Sequence, residues 1–273
     1  MTRRRNEGPR FDKESDLCKA FIASVDARDW TCYAETEGWD ILAVRKADGA
    51  QVGIEAKLRL NAEVVVQALP EMLRWNAATV GPDYRAVLVP YGGTQLHLKP
   101  ICAALGITII SYRGTKSRVS WCCAFDPALP EERMDPEYSW FQWCPDKRYK
   151  LPDYIPDVAA GASAPVALTQ WKIKAIKLCV ILKHRPARRE DFRILGLSPS
   201  RWTDPYTGWL VKSDGGYIAG EHLPDFAAQH PRNFAEIEAD AGAWLPKHQA
   251  APADPVRHRE QADMLRGVVG GVE

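Results

Sequence analysis

No apolar run in this chain approaches the roughly 18 residues needed to span a bilayer, which argues against a membrane protein. Residues 1–16 are polar and lack the hydrophobic core of a secretory signal, so the expected location is cytoplasmic. The seven cysteines are an odd number and include no Cys-x-x-Cys pair, which fits reduced thiols better than a disulfide framework. No histidine stands at ligand spacing from Cys122, Cys123 and Cys144, so a zinc site is not expected there. A dominant charge is missing too. The formal net charge is +1, so any nucleic-acid surface must come from local clustering and not from overall basicity. The cluster Arg3-Arg4-Arg5 with Arg10 reads as a basic, solvated arm.

What is present is an ordinary globular composition, 46% hydrophobic and 26% charged, on a length of 273 residues that suits two domains. The most informative stretch is Gly38-Trp39-Asp40-Ile41-Leu42, a polar turn, and Gly53-Ile54-Glu55-Ala56-Lys57. Asp48-Gly49 is a strong hairpin signal. Taken as a two-residue loop, it pairs Ala47 with Ala50, Asp40 with Lys57 and Leu42 with Glu55. Opposed residues and i, i+2 neighbours share a face, so Asp40, Glu55 and Lys57 converge. Val52, Ile54, Ala56 and Leu58 supply the apolar alternation of the other face. Two carboxylates beside an ammonium suit an oxygen-loving divalent cation and a phosphate. The lysine would stabilise developing charge, or orient and help deprotonate a water. A surface hairpin with an ordinary ion pair is the plainer alternative.

The flanks add context. Residues 13–25 form an amphipathic pattern with Leu17, Cys18, Phe21, Ile22 and Val25 inward. Glu14 lies on that stripe and Asp16 does not, so Glu14 is either a helix-dipole partner or a third acid entering the site. A strand over 30–35 precedes the hairpin. Asn61 is placed to cap a helix with Val65, Val66, Leu69, Met72 and Leu73 inward, kinked at Pro70. Gln67 on that helix is within reach of the site, or else solvated. A strand over 84–89, a helix over 100–105 and a strand over 107–112 complete a mixed α/β sheet flanked by helices.

On these residues, the stretch from about 10 to 112 resembles the PD-(D/E)xK nuclease superfamily, the restriction-endonuclease-like fold. Asp40 matches the lone aspartate and Glu55-Ala56-Lys57 the (D/E)xK element. Glu14 fits the first-helix glutamate, and Gln67 the glutamine that follows the lysine in some branches. Trp39 stands where the motif has proline. The resemblance implies metal-dependent phosphodiester hydrolysis, with Asp40, Glu55 and the Ala56 carbonyl around Mg²⁺, for which Mn²⁺ would substitute. Within the implied nuclease domain, residues 8–120, the catalytic set would be Glu14, Asp40, Glu55, Lys57 and Gln67.

Residues 121–165 are a proline- and aromatic-rich connector, expected to pack on one or both domains, with base stacking as the alternative. The run from Ala159 to Pro165 is its flexible end. Residues 166–245 are expected to be a smaller winged helix-turn-helix domain. Its first two helices lie over 168–183 and 189–195, and a third opens at Ser198-Pro199 with Ser200, Arg201 and Trp202 in its first turn. A hairpin, 209–212 with 217–219, would be the wing. Basic residues exceed acidic ones over 170–220, the footprint of a phosphate-binding surface. Arg188, Arg189, Arg193, Ser198, Ser200, Arg201, Trp202 and Lys212 are the candidate DNA contacts, with Trp202 alternatively packed under Trp171. Residues 246–273 read as a polar tail. The expectation is a Mg²⁺-dependent endonuclease of restriction or phage-associated type, set on duplex DNA by the winged helix, with a homodimer allowed. Two alternatives stand beside it: a DNA-binding regulator with a non-catalytic nuclease-like domain, and a structure-selective junction or flap nuclease.

Overall fold

Leu17, Cys18 and Phe21 lie one helical turn apart and are fully buried, and they fix α1, Glu14–Ser24, by one apolar face. The computed structural model describes residues 9–69, 80–114, 124–131, 140–161, 167–204 and 206–245. It divides into two units, Met1–Ala167 and Leu168–Glu273. Among the described residues no helix is long and apolar enough to cross a membrane.

The first unit is built on a six-stranded mixed sheet in chain order β1 to β6. The strands are β1 Trp30–Thr36, β2 Trp39–Arg45, β3 Gln51–Ala56, β4 Tyr84–Pro90, β5 Thr108–Tyr112 and β6 Phe125–Asp126. β1 to β3 form an antiparallel meander, β3, β4 and β5 are parallel, and β6 closes the edge antiparallel. The parallel crossovers carry α2, Ala62–Gln67, and α3, Lys99–Ala104. One apolar layer joins α1 to Ile41, Val52, Ile54, Ala86, Leu88 and Ile110. A second gathers Leu42, Val44, Val64, Val65, Val87 and Val89. With both faces covered, β3 is buried along its whole length, unlike the half-buried strand that its alternation predicts.

Two local expectations are corrected. The β2–β3 register runs Ile41–Ile54, Leu42–Gly53 and Val44–Gln51, two residues away from the pairing that an Asp48-Gly49 loop would give. Arg45 is the reason: its guanidinium grips Asp48 through two bonds of 2.8 Å, and Asp48 also accepts from Ala50 N–H. The loop therefore closes between Arg45 and Ala50. A slip of two keeps every side chain on its face, so the convergence survives. In α2, Asn61 caps as expected, accepting from Val64 N–H at 2.9 Å. The inward residues are Val64, Val65 and Ala68, however, and Val66 is 67% exposed. Met72 and Leu73 lie outside the described residues.

The described parts of the aromatic connector pack onto this sheet, as expected of so many aromatics. Gln51 and Tyr149 exchange two hydrogen bonds, and Arg148 reaches the buried Asp83. Trp140 is buried in the layer under α1.

In the second unit, α4 Gln170–His184 and α5 Arg189–Leu195 precede the hairpin β7 Leu210–Ser213 and β8 Gly216–Ala219. Ala187, between the helices, bridges to Tyr217 of the hairpin. Short helices α6 Phe226–Gln229, α7 Pro231–Ala239 and α8 Ala241–Trp244 follow. The third helix expected from Ser198 does not form. Residues 199–203 make a single turn in which Pro199 O accepts from Trp202 and Thr203 N–H. Leu210 N–H, the first of β7, then bonds Trp202 O, so the chain returns to that turn as it enters the hairpin. Pro205 and the tail from 246 lie outside the described residues.

Candidate active site

The site forms where the β2–β3 ladder ends. Lys57 N–H bonds Leu88 O of β4, so Ala56 N–H points to β2, beyond the last ladder pair, Ile41–Ile54. The Asp40 carboxylate takes that donor at 2.8 Å. Trp39, before it, packs over Gly53: a Cβ on Gly53 would fall 2.4 Å from the indole ring. Glu55 follows two residues on in β3 and is 8% exposed. Lys57 leaves the strand end and pairs with Glu14 of α1, Nζ to Oε2 at 3.2 Å, both side chains part-buried. Asp40, Glu55 and Lys57 thus lie together, and of the two readings open for Glu14 its bond to Lys57 favours the acid entering the site.

Gln67 does not join them. It is the last residue of α2, is exposed, and no hydrogen bond or ion pair links it to the cluster among the described residues. One participant was missed: Glu35, whose charge acts on both Glu55 and Cys18. Its carboxylate accepts from Gly161 N–H at 2.6 Å. Strand alternation could not reveal it, because Glu35 sits at φ +47°, where a side chain leaves the pleat.

Four acids and one lysine make a strained electrostatic set. Burial, and then repulsion from Asp40, push the Glu55 carboxyl up to about 8. Asp40 is also raised, chiefly by burial, although the Ala56 N–H opposes this. Burial pulls the Lys57 ammonium down, but Glu14 and Asp40 outweigh it, and the net shift is upward. Cys18 beneath the acids is pushed strongly up by burial and by their charge, so it stays an inert thiol. Among the described residues no trio of His, Cys, Asp and Glu is spaced to hold a metal ion. Mg²⁺ asks less, since one or two carboxylates with water and phosphate oxygens suffice. The hard oxygens of Asp40 and Glu55, one nearly buried and both disfavoured as bare anions, fit such an ion.

The candidate nucleic-acid contacts of the second unit sort differently. Arg188, Arg189 and Lys212 are exposed and line one groove with Tyr206. Arg193 is exposed but paired with Glu190, and Arg185 is locked in a part-buried bidentate pair with Asp191. The Ser198 and Ser200 hydroxyls bond each other at 3.0 Å. Arg201 lies over the rings of Trp171 and Trp209. Trp202 is 1% exposed and packs against Trp171, Trp209 and Phe192, so it is core and not a base contact.

Comparison with protein families, with curated proteins and with solved structures finds no match for this chain.

Proposed function

We propose that the first unit is a Mg²⁺-dependent phosphodiesterase acting on DNA, with a restriction-endonuclease-like site, and that the second unit binds the nucleic acid. The observation that carries this reading is the meeting of Asp40, Glu55, Lys57 and Glu14 at the splayed end of β2 and β3. Asp40, Glu55 and the Ala56 carbonyl would hold the ion, which when bound supplies charge neutralisation at the phosphate and a more acidic water.

The chain's own groups have separable tasks. Lys57, held in its ammonium form by Glu14, donates hydrogen bonds to a phosphate oxygen or to the attacking water and stabilises developing negative charge. It is a charge donor and not a base in this state. Glu14 orients it. Ala56 N–H fixes one Asp40 oxygen, leaving the other for the site. Desolvation strengthens each of these interactions.

The test is cleavage of supercoiled plasmid with Mg²⁺, Mn²⁺, Ca²⁺ or chelator. Nicking or cutting is expected with the first two and little with calcium, whose longer, looser coordination positions a water poorly. Undiminished cleavage in chelator would refute the assignment.

A further inference from the structure

A recognition helix reads duplex DNA by entering the major groove, and among the described residues the second unit offers only the turn at 199–203 in its place. Three of the second unit's other cations lie together elsewhere. Arg188, Arg189 and Lys212 line an open groove between the start of α5, the residues Asp204, Tyr206 and Gly208, and the β7–β8 hairpin. Its volume of about 1010 Å³ is at the upper end of small-molecule pockets, roughly 300–1,000 Å³, and it is not enclosed, which suits an extended ligand.

Tyr206 is the second observation. It lines the same groove and is 88% exposed. Its backbone is nonetheless pinned, because one Asp204 oxygen accepts from Tyr206 N–H at 2.9 Å and from Thr207 N–H at 2.7 Å. An aromatic ring held out on a fixed turn beside three cations offers a face for one unstacked base. Duplex DNA presents no such face, since its bases are stacked on each other. Two acids share the groove, but Asp204 is committed to the turn and Glu221 lies beside His222.

We infer that this groove binds a single strand of nucleic acid, with Arg188, Arg189 and Lys212 on its phosphates and a base stacked on Tyr206. The proposal deepens the nucleic-acid reading of the second unit. It is tested in chelator by binding alone, so a dead catalytic centre and a wrong groove give different results.

The full-length protein is titrated against labelled oligothymidylate and oligouridylate of about twenty nucleotides and against a duplex of the same length, read by fluorescence anisotropy. Either single strand is expected to bind about tenfold or more tighter than duplex, and the two single strands tell whether the sugar matters. Three phosphate contacts predict a log–log salt slope near −2, reduced by about 0.7 in Lys212→Ala. Tyr206→Ala is expected to weaken single-strand binding about fivefold or more while leaving duplex affinity and melting temperature unchanged, and Tyr206→Phe to restore it. Equal or tighter binding of duplex, a neutral Tyr206→Ala, or no binding at low salt each overturns the inference.

Discussion

Two hairpins carry the two proposed sites of this chain, and they place charge in opposite surroundings. Around β2–β3 the strands are buried and Glu55 is itself largely covered, and burial with mutual repulsion lifts it to about 8. Around β7–β8 the cations are exposed, and even Val211 is 54% exposed. Charges in a low-dielectric setting couple strongly and one at a time, whereas exposed charges are screened and act by number. The first arrangement suits bond-making and the second suits holding a polyanion.

That contrast can be broken at several points. The largest expected effect is on the scaffold beneath the exposed charges: Trp202→Ala should destabilise the second unit by about 3–5 kcal/mol, measured by calorimetry. A loss below about 1 kcal/mol would return Trp202 to the surface as a reader of bases. Next, Lys57→Ala should lower cleavage roughly 100- to 1,000-fold. Its melting temperature should barely move, because a part-exposed ion pair stabilises little. Full activity in this variant would mean that the desolvated cluster is not the reaction centre.

A pH effect comes third. Glu55 has its native value raised to about 8 from an ordinary 4.5. Across that window the native state holds a proton that the unfolded chain has released, so this group's contribution to stability falls as pH rises from about 4.5 to 8. In chelator, wild type should lose more stability over that range than Glu55→Gln, and Mg²⁺ should shrink the difference. Parallel pH curves would show that Glu55 is not strained. The smallest effect separates free from paired cations. Arg189→Ala should reduce the salt slope of binding by about 0.7, while Arg193→Ala, already neutralised by Glu190, should change it less.

The order of elements in the first unit and the convergence of Asp40, Glu55 and Lys57 were legible in the sequence because both rest on periodicity. A two-residue register error leaves faces intact, so the faces could be right while the loop was wrong. What escaped depended on contacts distant along the chain. Arg45 gripping Asp48 set the loop, and Arg45 is itself anchored to Pro130 O. Glu35 entered the site through a left-handed backbone that no alternation rule anticipates. The failed third helix had a sound start signal in Ser198-Pro199. Burial of Trp202 among Trp171, Trp209 and Phe192, with its carbonyl given to Leu210, outweighed that local preference.

The indole of Trp39 fills the space that Gly53 leaves empty. The restriction on the chain just before Asp40 is therefore supplied by the neighbouring strand. The two positions therefore become a single inherited unit. Any side chain at 53 displaces the indole, and a small residue at 39 leaves a hollow over the sheet, so either change alone moves the backbone that presents Asp40. Among descendants of this sequence, Trp39 and Gly53 should change together or not at all.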